Sequence, residues 1–181
     1  MTIAPASETT ATESVRFVRP RIEQGAAIRR LIADCRPLDL NSTYLYLLLT
    51  HHFADTCILA RAGERAIGFI SAYRPPGRGA TLFVWQVAVA PAARGQGLAG
   101  RMLRALLQRQ ELRGVTRVET TVSPSNAASR AVFQKLAQSL GAPLAESTLF
   151  RADHFGADAH EDERLVAIGP FRTDDITQED A

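Results

Sequence analysis

Val87-Ala88-Val89-Ala90-Pro91-Ala92-Ala93-Arg94-Gly95-Gln96-Gly97-Leu98-Ala99-Gly100 is the stretch that decides the fold. A β-rich apolar segment runs into a proline break, then a short glycine-bearing loop, then the start of an amphipathic helix. That succession builds an anion cradle. Glycines at 95 and 97 remove side chains that would keep backbone N–H groups away from a phosphate, and the following helix aims its positive dipole end at the same place. A pyrophosphate is the natural guest.

Other glycine loops are excluded by their own requirements. A Walker loop needs a Gly-Lys-Ser/Thr ending, and none follows Gly97; a dinucleotide fold needs a third glycine and repeated βαβ units. Arg94-Gly95-Gln96-Gly97-Leu98-Ala99 instead resembles the Arg/Gln-x-x-Gly-x-Gly/Ala signature of the GNAT N-acetyltransferases. The resemblance implies an α/β (α+β) acyl-CoA N-acyltransferase fold: a central mixed, mostly antiparallel sheet, splayed between its fourth and fifth strands and flanked by about four helices. It further implies acetyl-CoA as co-substrate, with Arg94, Gly95, Gln96, Gly97, Leu98 and Ala99 around its pyrophosphate. Val87, Ala88 and Val89 would lie along the pantetheine and polarise the thioester carbonyl with backbone amides, as a strand is added to an open edge. The plain alternative is a glycine-bearing strand-to-helix connection, with the valine side chains simply in the core.

Bulk composition suits a single domain. The chain has 181 residues, 46% hydrophobic and 22% charged, enough for a substantial core. Net charge is +2 and the 21 Lys and Arg are scattered, so nucleic acid is not an expected partner. The arginines of 101–113 (Arg101, Arg104, Arg109, Arg113) read first as a solvated helix face and second as contacts to outer phosphates. Two cysteines, Cys35 and Cys57, do not make a disulfide scaffold and fit a reducing cytoplasm. No apolar run of about 18 residues or secretion signal is present, so no membrane association is expected. Residues 1–14 read as a disordered tail, 15–170 as one domain, and 171–181 as a flexible tail.

Periodicity predicts a strand from Val15 to Val18, a helix from Ile22 to Cys35 stopped by Pro37, and a second helix capped by Asn41, Ser42 or Thr43. That second helix is apolar on most sides, which suits core or a subunit contact. Thr56–Arg61 and Ala66–Tyr73 form a hairpin, and Thr81–Val89 completes a meander. A helix from Gly97 to Leu112, a strand at Val115–Val122, a helix at Asn126–Leu140, and strands at Leu144–Phe150 and Leu165–Ile168 follow.

Acetyl transfer to an amine needs an unprotonated nitrogen, donors for the carbonyl oxygen, and a proton for the leaving thiolate. An aliphatic amine with pKa near 10.4 is deprotonated in only about one molecule in a thousand at neutral pH. Direct attack needs no protein nucleophile. Many family members carry a tyrosine acid seven residues after an asparagine; here Asn126 is followed at that spacing by Phe133. Both residues are still expected beside CoA, Asn126 alternatively as a helix cap. Tyr44, Tyr46 and solvent are the candidate proton donors, and the expected catalytic residues are Glu119, Asn126 and Tyr44.

Four further segments narrow the substrate: Arg36–Tyr46, Phe83-Val84-Trp85-Gln86-Val87, Glu119–Asn126 and His154-Phe155-x4-His160-Glu161-x-Glu163. Together they resemble the diaminobutyrate acetyltransferase family of ectoine biosynthesis, over roughly residues 16–170. The resemblance implies transfer of acetyl to the γ-amine of L-2,4-diaminobutyrate by a homodimer. It implies substrate contacts from Asp39, Trp85, Glu119, His160, Glu161 and Glu163, with Glu119 activating the amine through water. This donor set suits a small diamino acid. The plain alternatives are helix-start charge for Asp39, core packing for Trp85 and a solvated turn at 160–163. No metal is expected, because His154, His160 and Glu161 match no zinc spacing. Two other functions share these features: acetylation of another small amine or peptide amine, and acyl-CoA binding without catalysis, for which the missing tyrosine is the best support.

Overall fold

The computed structural model describes residues 14–157 and 160–172. Seven strands form one sheet: β1 (Val15–Val18), β2 (Ile58–Ala62), β3 (Arg65–Tyr73), β4 (Thr81–Val89), β5 (Arg117–Val122), β6 (Leu144–Phe150) and β7 (Glu163–Ile168). Their spatial order is β1-β2-β3-β4-β5-β7-β6, with β4 and β5 parallel and every other neighbouring pair antiparallel. Helices α1 (Gly25–Ala33) and α2 (Thr43–His52) cover one face; α3 (Leu98–Leu107) and α4 (Ala127–Ser139) cover the other. The element order is the one periodicity predicts.

Strand alternation explains the two cores. Leu59, Phe69 and Ala88 point toward Ile28, Ile32, Tyr46 and Leu49 of α1 and α2, while Ile58, Ile70, Leu82 and Val84 point toward Met102, Leu103, Leu106 and Phe133. Truncating a side chain such as Leu103 or Leu106, each almost wholly buried, would cost about 2–5 kcal/mol. Gly68 permits the close approach of α3, since a Cβ there would lie 2.8 Å from the Met102 methyl.

Three details depart from the sequence reading. Ile22–Gln24 is a 3-10 turn ahead of α1, and α3 stops at Leu107 before another such turn at Gln110–Leu112. Arg109 is the reason that the second departure matters. It leaves helical geometry, and its guanidinium donates to the carbonyls of Ala54, Asp55 and Cys57, tying the α2–β2 connection to the end of α3. It is therefore a structural clamp rather than part of a solvated face. Burial accordingly lowers its pKa from the ordinary arginine range. Thirdly, Phe171 is buried in the core and its N–H donates to the Thr116 carbonyl, so the packed domain extends just past 170. Of the expected tails, 1–14 and 171–181, residues 1–13 and 173–181 lie outside the described residues.

Candidate active site

The parallel ladder between β4 and β5 is short. Thr81, Leu82, Phe83 and Val84 pair with Arg117, Val118, Glu119 and Thr120, and pairing then stops although both strands continue. A β-bulge marks the divergence: Ser71 faces Gln86 and Ala72 faces Val84, leaving Trp85 as the extra residue of β4. Bulges bend a strand and increase its twist, which turns the rest of β4 away from β5.

Beyond the bulge, the N–H of Ala90 donates to the carbonyl of Ile67 on the β3 side. By antiparallel alternation, Ala88 and Gln86 also present their main-chain groups to β3. Val87 and Val89 therefore face the unpaired edge. The Val89 carbonyl is already engaged by Arg94 Nε at 3.1 Å and by the Cys35 thiol at 3.3 Å. Arg94 thus fastens the glycine loop to the end of β4.

The loop has the form that an anion cradle needs. Gly95 and Gly97 hold φ of +76° and +68°, which disfavours any residue with a Cβ, and the space above each is open to beyond 4 Å. Gly97 is the N-cap of α3, and no side chain caps it. The first intrahelical bond runs from Arg101 N–H to the Gly97 carbonyl, so the N–H groups of Leu98, Ala99 and Gly100 have no partner in the helix. These features fit a pyrophosphate carrier such as CoA.

On the other side of the splay lies a cavity of about 880 Å³. Asp39, Trp85, Val87, Glu119, Asn126, Phe133, His160, Glu161 and Glu163, all singled out from sequence, line it. Trp85 is 43% exposed, so the bulge presents its indole to the cavity instead of burying it. Asp39 does not cap α2; Ser42 does, accepting the N–H of Leu45. The Asp39 loop is instead stapled to β4 by the buried Gln86, whose side-chain amide donates to the Asp39 carbonyl at 2.9 Å.

From β5 and α4 come Glu119 and Asn126. Glu119 is only 4% exposed, and its carboxylate is held by the guanidinium of Arg78 from the β3–β4 connection. Asn126 caps α4 by accepting the N–H of Ser129 at 3.1 Å, and also lines the cavity. Asn126, Ser129 and Phe133 fall on one helix face, so the residue in the usual acid position does reach the site, as a buried phenyl ring without a proton to give.

The β6–β7 connection closes the cavity. His160 stacks on Phe155 with ring centroids 3.8 Å apart, and its Nδ1 lies 2.6 Å from the Glu161 carbonyl, the geometry of an N–H donated to that oxygen. Its Nε2 faces Glu163 at 3.9 Å. Ser123 Oγ donates to Glu163 at 3.0 Å, and the Ser125 N–H donates to Glu161 at 3.0 Å. That last bond, first among the causes, lowers the Glu161 pKa below the ordinary carboxylate value.

Tyr44 is not brought to this site. With Ser42 as cap, Tyr44 and Tyr46 sit 200° apart around α2: Tyr44 is 68% exposed on the outer surface, while Tyr46 is fully buried and accepts the N–H of Asn41. Neither lines the cavity. The sequence reading missed Arg78, and it gave no role to Gln86 or Phe155, although both lie in the segments quoted for the resemblance. An arginine in the run Arg74-Pro75-Pro76-Gly77-Arg78 carries no periodic signal, and its meeting with Glu119 depends on the splay. Among the described residues, no group of three or more His, Cys, Asp and Glu side chains is placed to hold a metal. No described helix is long and apolar enough to cross a membrane.

Comparison with known proteins agrees with this geometry. Residues 25–137 match the model of the acetyltransferase (GNAT) family. The chain is 47% identical over 163 residues to the L-2,4-diaminobutyric acid acetyltransferase of Methylotuvimicrobium alcaliphilum, covering 90% of this chain and 95% of that protein. It is 52% identical over 153 residues to the protein of the same name from Bordetella parapertussis, covering 84% and 82%. Among solved structures it is similar to the diaminobutyrate acetyltransferase EctA from Paenibacillus lautus in complex with L-2,4-diaminobutyric acid and coenzyme A, with a TM-score of 0.85 and 45% identity, covering 88% and 96% of the two chains. The cradle, the splayed strands and these relatives agree that the chain belongs to the acetyltransferase (GNAT) family, within its L-2,4-diaminobutyric acid acetyltransferase branch.

Proposed function

We propose that this protein transfers the acetyl group of acetyl-CoA to the γ-amine of L-2,4-diaminobutyrate, giving N4-acetyl-L-2,4-diaminobutyrate, a step of ectoine biosynthesis. The observation that carries the reading is the acid-lined cavity opening directly onto the unpaired edge of β4. A substrate with two ammonium groups matches Asp39, Glu119, Glu161 and Glu163, and the relatives described above are named for the same substrate.

Arg94, Gly95, Gln96, Gly97, Leu98 and Ala99 hold the pyrophosphate through loop and helix N–H groups. Val87 and Val89 present the edge along which pantetheine lies, their backbone N–H groups polarise the thioester oxygen, and Ala88 keeps that edge aligned on β3. Asn126 and Phe133 form the far wall. Glu119 receives the amine's first proton through water; the free nitrogen attacks the thioester carbon, the nitrogen loses its second proton to solvent as the C–S bond breaks and the amide forms, and the thiolate takes a proton from solvent. Trp85, Asp39, His160, Glu161 and Glu163 hold the rest of the amino acid. The reading includes a cytoplasmic location and a homodimer, the latter supported by the half-buried apolar residues Leu45, Leu47 and Leu48 of α2.

Thiol release from acetyl-CoA across a panel of 2,4-diaminobutyrate, ornithine, lysine, diamines and a peptide amine tests the assignment. Strong preference for 2,4-diaminobutyrate is expected. Preference for another amine overturns the substrate, and release with none of them leaves an acyl-CoA-binding module.

A further inference from the structure

Among the described residues, four carboxylates line the cavity, but only one lysine or arginine does: Arg78. Resting on the substrate reading above, we infer that Arg78 binds the α-carboxylate of the amino acid and thereby selects a diamino acid over a bare diamine. The substrate's anionic end needs a cationic partner in a cleft otherwise hostile to anions, since Asp39, Glu119, Glu161 and Glu163 would all repel it.

Arg78 is built for this task. It lies in the short connection between β3 and β4, at the end of the cavity away from the glycine loop, so a carboxylate there leaves the γ-amine directed toward the β4 edge. The bond to Glu119 runs through one terminal nitrogen and fixes the guanidinium, which has five donors in a planar fork. Half of the side chain remains exposed. Glu119, almost wholly buried, holds the arginine in place; the exposed part of the fork then offers the paired donors that suit a carboxylate.

The other candidate is His160, but its Nδ1 is committed to the Glu161 carbonyl and its Nε2 faces the carboxylate of Glu163. That side of the cavity suits an ammonium.

The test compares kcat/KM for 2,4-diaminobutyrate with that for 1,3-diaminopropane, the same diamine without its carboxylate, in the wild type and in Arg78→Gln, Arg78→Lys and His160→Gln. The wild type is expected to favour the amino acid by about a hundredfold or more, the scale of one lost hydrogen-bonded charge pair. Arg78→Gln reduces that ratio at least tenfold, chiefly through KM for the amino acid, and Arg78→Lys restores part of it. A ratio unchanged in Arg78→Gln, with both substrates falling together, shows that Arg78 only positions Glu119 and overturns the inference. Collapse of the ratio in His160→Gln alone overturns it in favour of the histidine. A wild type that does not acetylate 2,4-diaminobutyrate overturns the substrate assignment itself, an outcome separate from either.

Discussion

Val84 and Thr120 are the last residues paired between the two parallel strands at the centre of the sheet. One residue later Trp85 bulges out of the ladder, and everything functional follows from that divergence: an unpaired strand edge on one side, an acid-lined cavity on the other, and the two in contact.

Glu119 sits two residues before β5 leaves the ladder's company and reaches the cavity from a buried position. Replacing it by glutamine keeps the shape and removes the charge. Glu119→Gln is expected to lower kcat/KM for the amine about a hundredfold or more, the usual scale of a lost acid–base group, while acetyl-CoA affinity stays within about threefold. Steady-state kinetics with calorimetric CoA titration checks both, and unchanged turnover removes Glu119 from the chemistry.

Gly97 acts through its backbone conformation. The residue caps α3 with φ of +68°, and its missing Cβ leaves open the space that a phosphate would enter. Gly97→Val should weaken CoA binding at least tenfold, because a β-branched residue both resists that φ and fills the cradle. The fold's melting temperature separates the two effects: normal CoA affinity in a folded variant contradicts the loop assignment.

Alkaline pH should unfold the protein through Cys57. Burial pushes its thiol up from 9.0 to about 12. The unfolded chain then loses the proton first, so this contribution is intact below pH 9 and is lost as pH rises from there toward 12, at up to about 1.4 kcal/mol per pH unit. Cys35, also raised by burial and partly offset by Arg94, adds in the same direction. Denaturant titrations at pH 8, 9 and 10 should show declining stability, with a smaller decline in Cys57→Ala.

Much of this was legible in the sequence because it is written in local patterns. The proline break, the two glycines and Leu98 specify a strand, loop and helix start within a few residues, and the fold has all three there. Acidic residues scattered from Asp39 to Glu163 were gathered into one site through family resemblance, and the cavity does bring them together. What escaped depends on three-dimensional placement. Tyr44 and Tyr46 differ only in rotation around α2, which the position of the cap decides. Arg109 looked like one more solvated arginine because its carbonyl partners lie some fifty residues away. Arg78 was overlooked because its partner is on a strand that becomes its neighbour only in the folded sheet.

The most direct test of the central claim is identification of the product by two-dimensional NMR after incubating the protein with acetyl-CoA and L-2,4-diaminobutyrate. A single species acetylated at the γ-nitrogen is expected, with one equivalent of CoA released. Acetylation at the α-nitrogen, or no product despite measurable CoA binding, would contradict it.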